Sequence, residues 1–152
     1  MNRIFFPLLM SLFLGVYSPA QVLSIEPQVE QLLNELLRGL QLNNTEEAEK
    51  IVAACVHGGL LNTGENRLSR DVLDYSFKKA RESASLYQYP VQVVRVREKN
   101  ITSVGNEQNA ESGRVVEYYL AKKNREHGLP APVQVFFPSH GGKPKILYIG
   151  GL

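Results

Sequence analysis

The sequence predicts an α+β fold in which three N-terminal helices pack on one face of a curved antiparallel sheet of about four strands. Two observations carry this. Apolar residues recur every three or four positions as far as Tyr89-Pro90, and beyond that dipeptide they alternate with polar ones. Helical and strand segments separated in this way favour helices covering a single face of an antiparallel sheet.

The clearest helix spans Glu26 to Leu40, where Val29, Leu32, Leu33, Leu36, Leu37 and Leu40 gather into one stripe. Asn43 and Asn44 end it. Asn44 is placed to cap a second helix, with Glu47 three residues on in a capping-box arrangement. That helix carries Ala48, Ile51, Val52 and Cys55 inward and stops at Gly58-Gly59. After a polar loop, Ser69 is the expected N-cap of a third helix with Val72, Leu73, Phe77 and Ala80 inward.

Past Pro90, four stretches rich in Val, Ile, Tyr and Phe read as strands: Val91 to Val104, Arg114 to Lys123, Val133 to Phe137 and Lys145 to Ile149. In the first, Val91 and Val93 share one parity and Val94 and Val96 the other, which predicts a bulge or bend near Val93. The second sets Val116, Tyr118 and Leu120 on one face and Val115, Glu117, Tyr119 and Ala121 on the other. A strand apolar on both faces requires partial cover of its second face. Ser139-His140-Gly141-Gly142 reads as a hairpin turn. Its His-Gly-Gly could otherwise suggest an oxyanion hole, but no Gly-x-Ser-x-Gly elbow accompanies it.

The N-terminus has the order of a secretory signal. Arg3 precedes an apolar stretch of about thirteen residues, Ile4 to Val16, and small residues at Ser18 and Ala20 place cleavage between Ala20 and Gln21. The expected mature product is a single domain over 21–152 without a transmembrane segment, exported to the periplasm or secreted. Lys and Arg number 17 against 15 Asp and Glu, and Arg3 leaves with the signal. A chain so near neutrality does not point to nucleic acid.

The order of elements from Val29 to Leu152 resembles small exported proteins of the nuclear-transport-factor-2-like or cystatin-like superfamily. In them a curved sheet wraps N-terminal helices around a pocket. The strand pair that nuclear-transport-factor-2-like proteins often insert before their last helix is not visible in this sequence. Some relatives are isomerases or dehydratases whose pocket holds a carboxylate and a tyrosine, and the resemblance implies Glu117 and Tyr119 for those places.

The remaining candidates come from the residues themselves. Arg95, Arg97, Lys99, Lys122, Lys123, Arg125, Lys143 and Lys145 lie in or beside strands and would form a basic patch if those strands are neighbours. Glu98, Glu111 and Glu117 are interspersed and favour a mixed-charge surface. Cys55, the one cysteine, excludes an internal disulfide and reads as a buried inert thiol, with a reactive or intermolecular thiol as the alternative. His57 is two residues away, on a different side of a helix. The spacing of the three histidines and the cysteine fits no metal site, and no cofactor is expected. Asp71 and Asp74 share a helix face, where Lys78 offers Asp74 an i,i+4 partner. Asn43 and Asn100 stand in glycosylation sequons.

The expected function is that of a small exported non-catalytic domain binding a partner protein or small ligand, with Glu117, Tyr119, Arg95 and Arg97 as the ligand-binding residues. A small isomerase- or hydrolase-like pocket enzyme is the alternative, and it requires an enclosed cavity holding a carboxylate or histidine. An envelope-associated structural factor is the third.

Overall fold

A computed structural model describes residues 23–105 and 110–152. The expected signal sequence and the Ala20–Gln21 cleavage site lie outside the described residues.

Helix α1 (Pro27–Gln41) buries Val29, Leu33, Leu36, Leu37, Gly39 and Leu40. Helix α2 (Thr45–Cys55) follows a short link, and the Asn44 side chain caps it by accepting from the Glu46 and Glu47 N–H groups at 3.0 and 3.1 Å. Those donors have no partner within the helix, so the cap supplies what the first turn lacks. Gly39 lets the two helices approach closely: a Cβ there would lie 2.7 Å from the Ile51 Cγ2.

The chain is helical again over 70–84, but its first part is not the regular helix that the sequence spacing predicts. Val72–Phe77 forms a π-helical segment that continues into α3 (Lys78–Ala84). Bonds from i to i+5 widen the turn there. Asp74 pairs back to Arg70 at 3.6 Å, across the start of this segment, and makes no ion pair with Lys78. Phe77, Ala80 and Ala84 are buried.

Five strands follow a cis Tyr89–Pro90 peptide: β1 (Val93–Lys99), β2 (Ser103–Val104), β3 (Glu111–Leu120), β4 (Ala131–Pro138) and β5 (Lys145–Tyr148). All pair antiparallel in the order β1-β3-β4-β5, and β2 pairs with β3. The single strand expected over Val91 to Val104 is therefore two. Asn100, a weak strand former, falls at the bend between them. β1 and β2 share one edge of β3, which is why four positions in the sheet hold five strands.

The expected bulge is present. The register shifts between Val93, which faces Leu120, and Arg95, which faces Tyr119. The extra residue, Val94, reverses the parity of everything after it. Val93 therefore joins the helix-facing side with Val116, Tyr118, Leu120, Val133, Val135 and Ile146, in one core with α1 and α2. Arg95, Arg97 and Lys99 fall on the other side. Each fully buried leucine of that core contributes about 2 kcal/mol of transfer free energy.

Polar contacts fix the helices to the sheet. The Asn34 Oδ1 accepts from the Val91 N–H at 2.8 Å, the Lys79 Nζ donates to the Gly150 carbonyl at 2.9 Å, and the Lys145 Nζ donates to the Ala54 carbonyl at 2.7 Å. Beyond α2, Val56 bridges to Ile146 in parallel and extends the sheet past β5. Among the described residues no helix is long and apolar enough to cross a membrane.

Candidate functional site

Antiparallel register sets the outer face of the sheet, turned away from the helices, into three rows. Lys99 lies beside Val115 and Phe136, Arg97 beside Glu117 and Gln134, and Arg95 beside Tyr119 and Pro132. Directly paired residues share a face. The four residues singled out from the sequence, Glu117, Tyr119, Arg95 and Arg97, therefore stand together in two adjacent rows.

The upper row covers the second face of β3. Val115 and Phe136 are both 0% exposed. Phe136 reaches across Gly113, where a Cβ would overlap the Phe136 ring and the Phe137 carbonyl. His57 closes the cluster edge-on, with ring centroids 5.5 Å apart.

The middle row holds a buried carboxylate. Glu117 is 6% exposed. Its Oε1 accepts from the Gln134 Nε2 at 3.2 Å and lies 3.4 Å from the Lys99 Nζ, while its Oε2 accepts from the Tyr119 hydroxyl at 3.1 Å. Burial opposes the charged form, but donation from Gln134, Tyr119 and Lys99, with the Lys99 charge, outweighs it. The carboxyl consequently titrates below its usual range. Glu117 is an ionised strut with its acceptor sites occupied, the opposite of a poised general acid.

The lower row displays a cation. The guanidinium of Arg95 lies over the Tyr119 ring, 3.6 Å from carbon to centroid. Arg95 and Arg97 are exposed, and among the described residues neither has a carboxylate within ion-pair distance. Glu98 points to the opposite face, being paired with Val116. The ladder Arg95–Arg97–Lys99 thus faces outward with Glu117 as its one acidic neighbour in register.

Lys122, Lys123, Lys143 and Lys145 do not join it. Lys122 donates to the His127 carbonyl at 2.7 Å and lies 5.7 Å from the Tyr87 ring centroid, and Lys143 and Lys145 line a small cleft beside Cys55. Lys123 lines a cleft of about 1010 Å³ beside the helices, which neither Glu117 nor Asp71 enters. A pocket between helices and sheet, such as the resemblance implies, does not include Glu117 and Tyr119, because both point away from the helices.

Cys55 is buried at 5% exposure, and burial pushes its thiol up to about 11. His57 lies beyond the end of α2 and turns elsewhere. Its Nδ1 accepts from the Gly59 N–H at 3.1 Å, so its Nε2 carries the proton that bonds the Glu111 carboxylate at 3.1 Å. This link between the α2 terminus and the start of β3 has no sequence signal, since its partners are 54 residues apart. Gly141 and Gly142 have φ of 85° and 122°, as a turn demands, and His140 beside them is exposed. Among the described residues no three His, Cys, Asp or Glu side chains cluster closely enough to hold a metal ion. No family model, curated protein or solved structure matches the chain.

Proposed function

We propose that this chain is an exported, non-catalytic binding domain that captures an extended acidic polypeptide segment along the edge of β1. The observation that carries the reading is the Arg95–Arg97–Lys99 ladder on a strand at the end of the sheet order. Among the described residues the outer edge of β1 takes one backbone bond, from the Leu23 N–H to the Val93 carbonyl at 2.8 Å. Among the described residues, the edge from Arg95 onward takes no further backbone bond and so offers donors and acceptors to an added strand.

Side chains on one face of a strand repeat every second residue. A strand added to β1 would set alternate side chains beside Arg95, Arg97 and Lys99, so acidic residues at every second position match the ladder. The same cations disfavour pairing of two such edges, because like charges would oppose each other. Selectivity for an acidic strand and resistance to self-association have a common origin. Export rests on the Arg3, Ile4–Val16 and Ser18-Pro19-Ala20 pattern.

Fluorescence anisotropy with two labelled peptides of identical composition tests this. One alternates glutamate and threonine, and the other carries its glutamates in a block. At 150 mM salt the alternating peptide is expected to bind at least tenfold more tightly, and R95E/R97E to abolish its binding. Equal affinity for the two peptides would show that charge alone acts, and strand addition would have to be abandoned.

A further inference from the structure

A second site, independent of the β1 edge, lies in the helical layer. A cleft of about 1010 Å³ opens between the α1–α2 junction and the helix over 70–84. That is at the upper end of the range for small-molecule sites, about 300–1,000 Å³. Its apolar lining is Leu40, Leu42, Leu73, Phe77 and Ala84, of which Leu40, Phe77 and Ala84 are buried.

The lining carries three cations, Lys78, Arg81 and Lys123, and three carboxylates, Glu49, Asp74 and Glu82, but two of the carboxylates are already paired with arginines outside it. Of the carboxylates, Glu49 is held by Arg67 through two bonds of 3.3 Å, and Asp74 is paired with Arg70 at 3.6 Å. Arg81 crosses the cleft wall from α3, and its acceptors are all neutral. They are the Thr45 hydroxyl at 2.6 Å, the Asn43 carbonyl at 3.2 Å and the Leu42 carbonyl. Its Nε is sealed from solvent without an acceptor among the described residues. The guanidinium also lies 5.7 Å from the Phe77 ring centroid.

Lys78 and Lys123, both exposed, line the same cleft, and among the described residues neither has a carboxylate within ion-pair distance. Against these three cations, the cleft offers among the described residues one carboxylate without an ion-pair partner, Glu82. A part-buried cation surrounded by neutral acceptors is stabilised by an incoming anion, since the low local dielectric strengthens their attraction.

We propose that this cleft binds an amphipathic carboxylate, its apolar chain over Leu73 and Phe77 and its anionic head among Arg81, Lys78 and Lys123. Both halves are required: the apolar lining gives a short anion no advantage, and the net positive rim repels an amphipathic cation.

Isothermal titration of the chain over 21–152 with dodecanoate, dodecyltrimethylammonium and acetate, each below any micellar concentration, tests the assignment. Dodecanoate is expected to saturate at one per chain and to bind at least tenfold more tightly than either comparison compound. K78E/K123E changes two exposed residues and is expected to weaken dodecanoate at least tenfold while leaving acidic-peptide binding intact. L73W, which fills the cleft from its rim, is expected to weaken it as well. Equal affinity for the anionic and cationic amphiphiles, unsaturable binding, or full affinity in both variants would overturn the proposal.

Discussion

Arg95 stacks on Tyr119 at 3.6 Å, and the hydroxyl of that same Tyr119 donates to Glu117 at 3.1 Å. One side chain thus orients the outermost cation of the ladder and ties it to the buried carboxylate. Tyr119→Phe removes the hydrogen bond and keeps the stack, and it is expected to cost about 1 kcal/mol in urea unfolding. Tyr119→Leu removes both, for about a further 0.5–1 kcal/mol. If the two variants unfold alike, the stack contributes nothing.

Glu117 should make stability depend on acid. Its folded carboxyl titrates below the usual range, so the native state holds the charged form to lower pH than the unfolded chain does. The stabilisation is complete above the ordinary glutamate value of about 4.3 and is lost as pH falls through the lower folded value. Urea midpoints between pH 3 and 7 should fall less steeply for Glu117→Gln than for the parent chain. Parallel curves would mean that Glu117 is not coupled to its three donors.

Gly113 is needed for its missing side chain. Its Cβ would overlap the Phe136 ring and the Phe137 carbonyl, and that carbonyl belongs to a paired strand that cannot simply withdraw. Gly113→Ala is expected to destabilise by about 2–3 kcal/mol. Phe136→Leu in the same background should recover part of the loss by freeing the space, as thermal melts of the double variant would show.

The Cys55 thiol is expected to resist a disulfide reagent at pH 8 while the chain is folded and to react at once in denaturant. Burial raises its ionisation to about 11, which leaves little thiolate at that pH. Because the thiol holds its proton to higher pH in the folded chain, stability should be unaffected by it below about 8.5 and decline above that value. Reaction in the native state at the unfolded rate would contradict the buried placement.

The fold was legible where local chemistry decides it. The leucine stripe of α1, the Asn44 cap, the alternation of β3 and the parity break at Val93 each rest on residues within a few positions of one another. The parity break also brought Arg95 and Arg97 onto the face that carries Glu117 and Tyr119. What stayed hidden depends on contacts between distant segments. The π-helical turn at Val72–Phe77 has no distinctive spacing. The His57–Glu111 link joins residues far apart in sequence, and Arg81 finds its acceptors on the α1–α2 junction. The eight basic residues read as one patch on the condition that their strands are neighbours, yet only three of them share β1.

The β1 edge is tested most directly by amide chemical-shift mapping of the 15N-labelled chain over 21–152 during titration with the alternating glutamate–threonine peptide. Shifts concentrated on residues 93–99, with smaller ones on β3, and slowed amide exchange along β1 are the expected result. Shifts centred on the helices, or none at an excess that saturates anisotropy, would contradict binding at that edge.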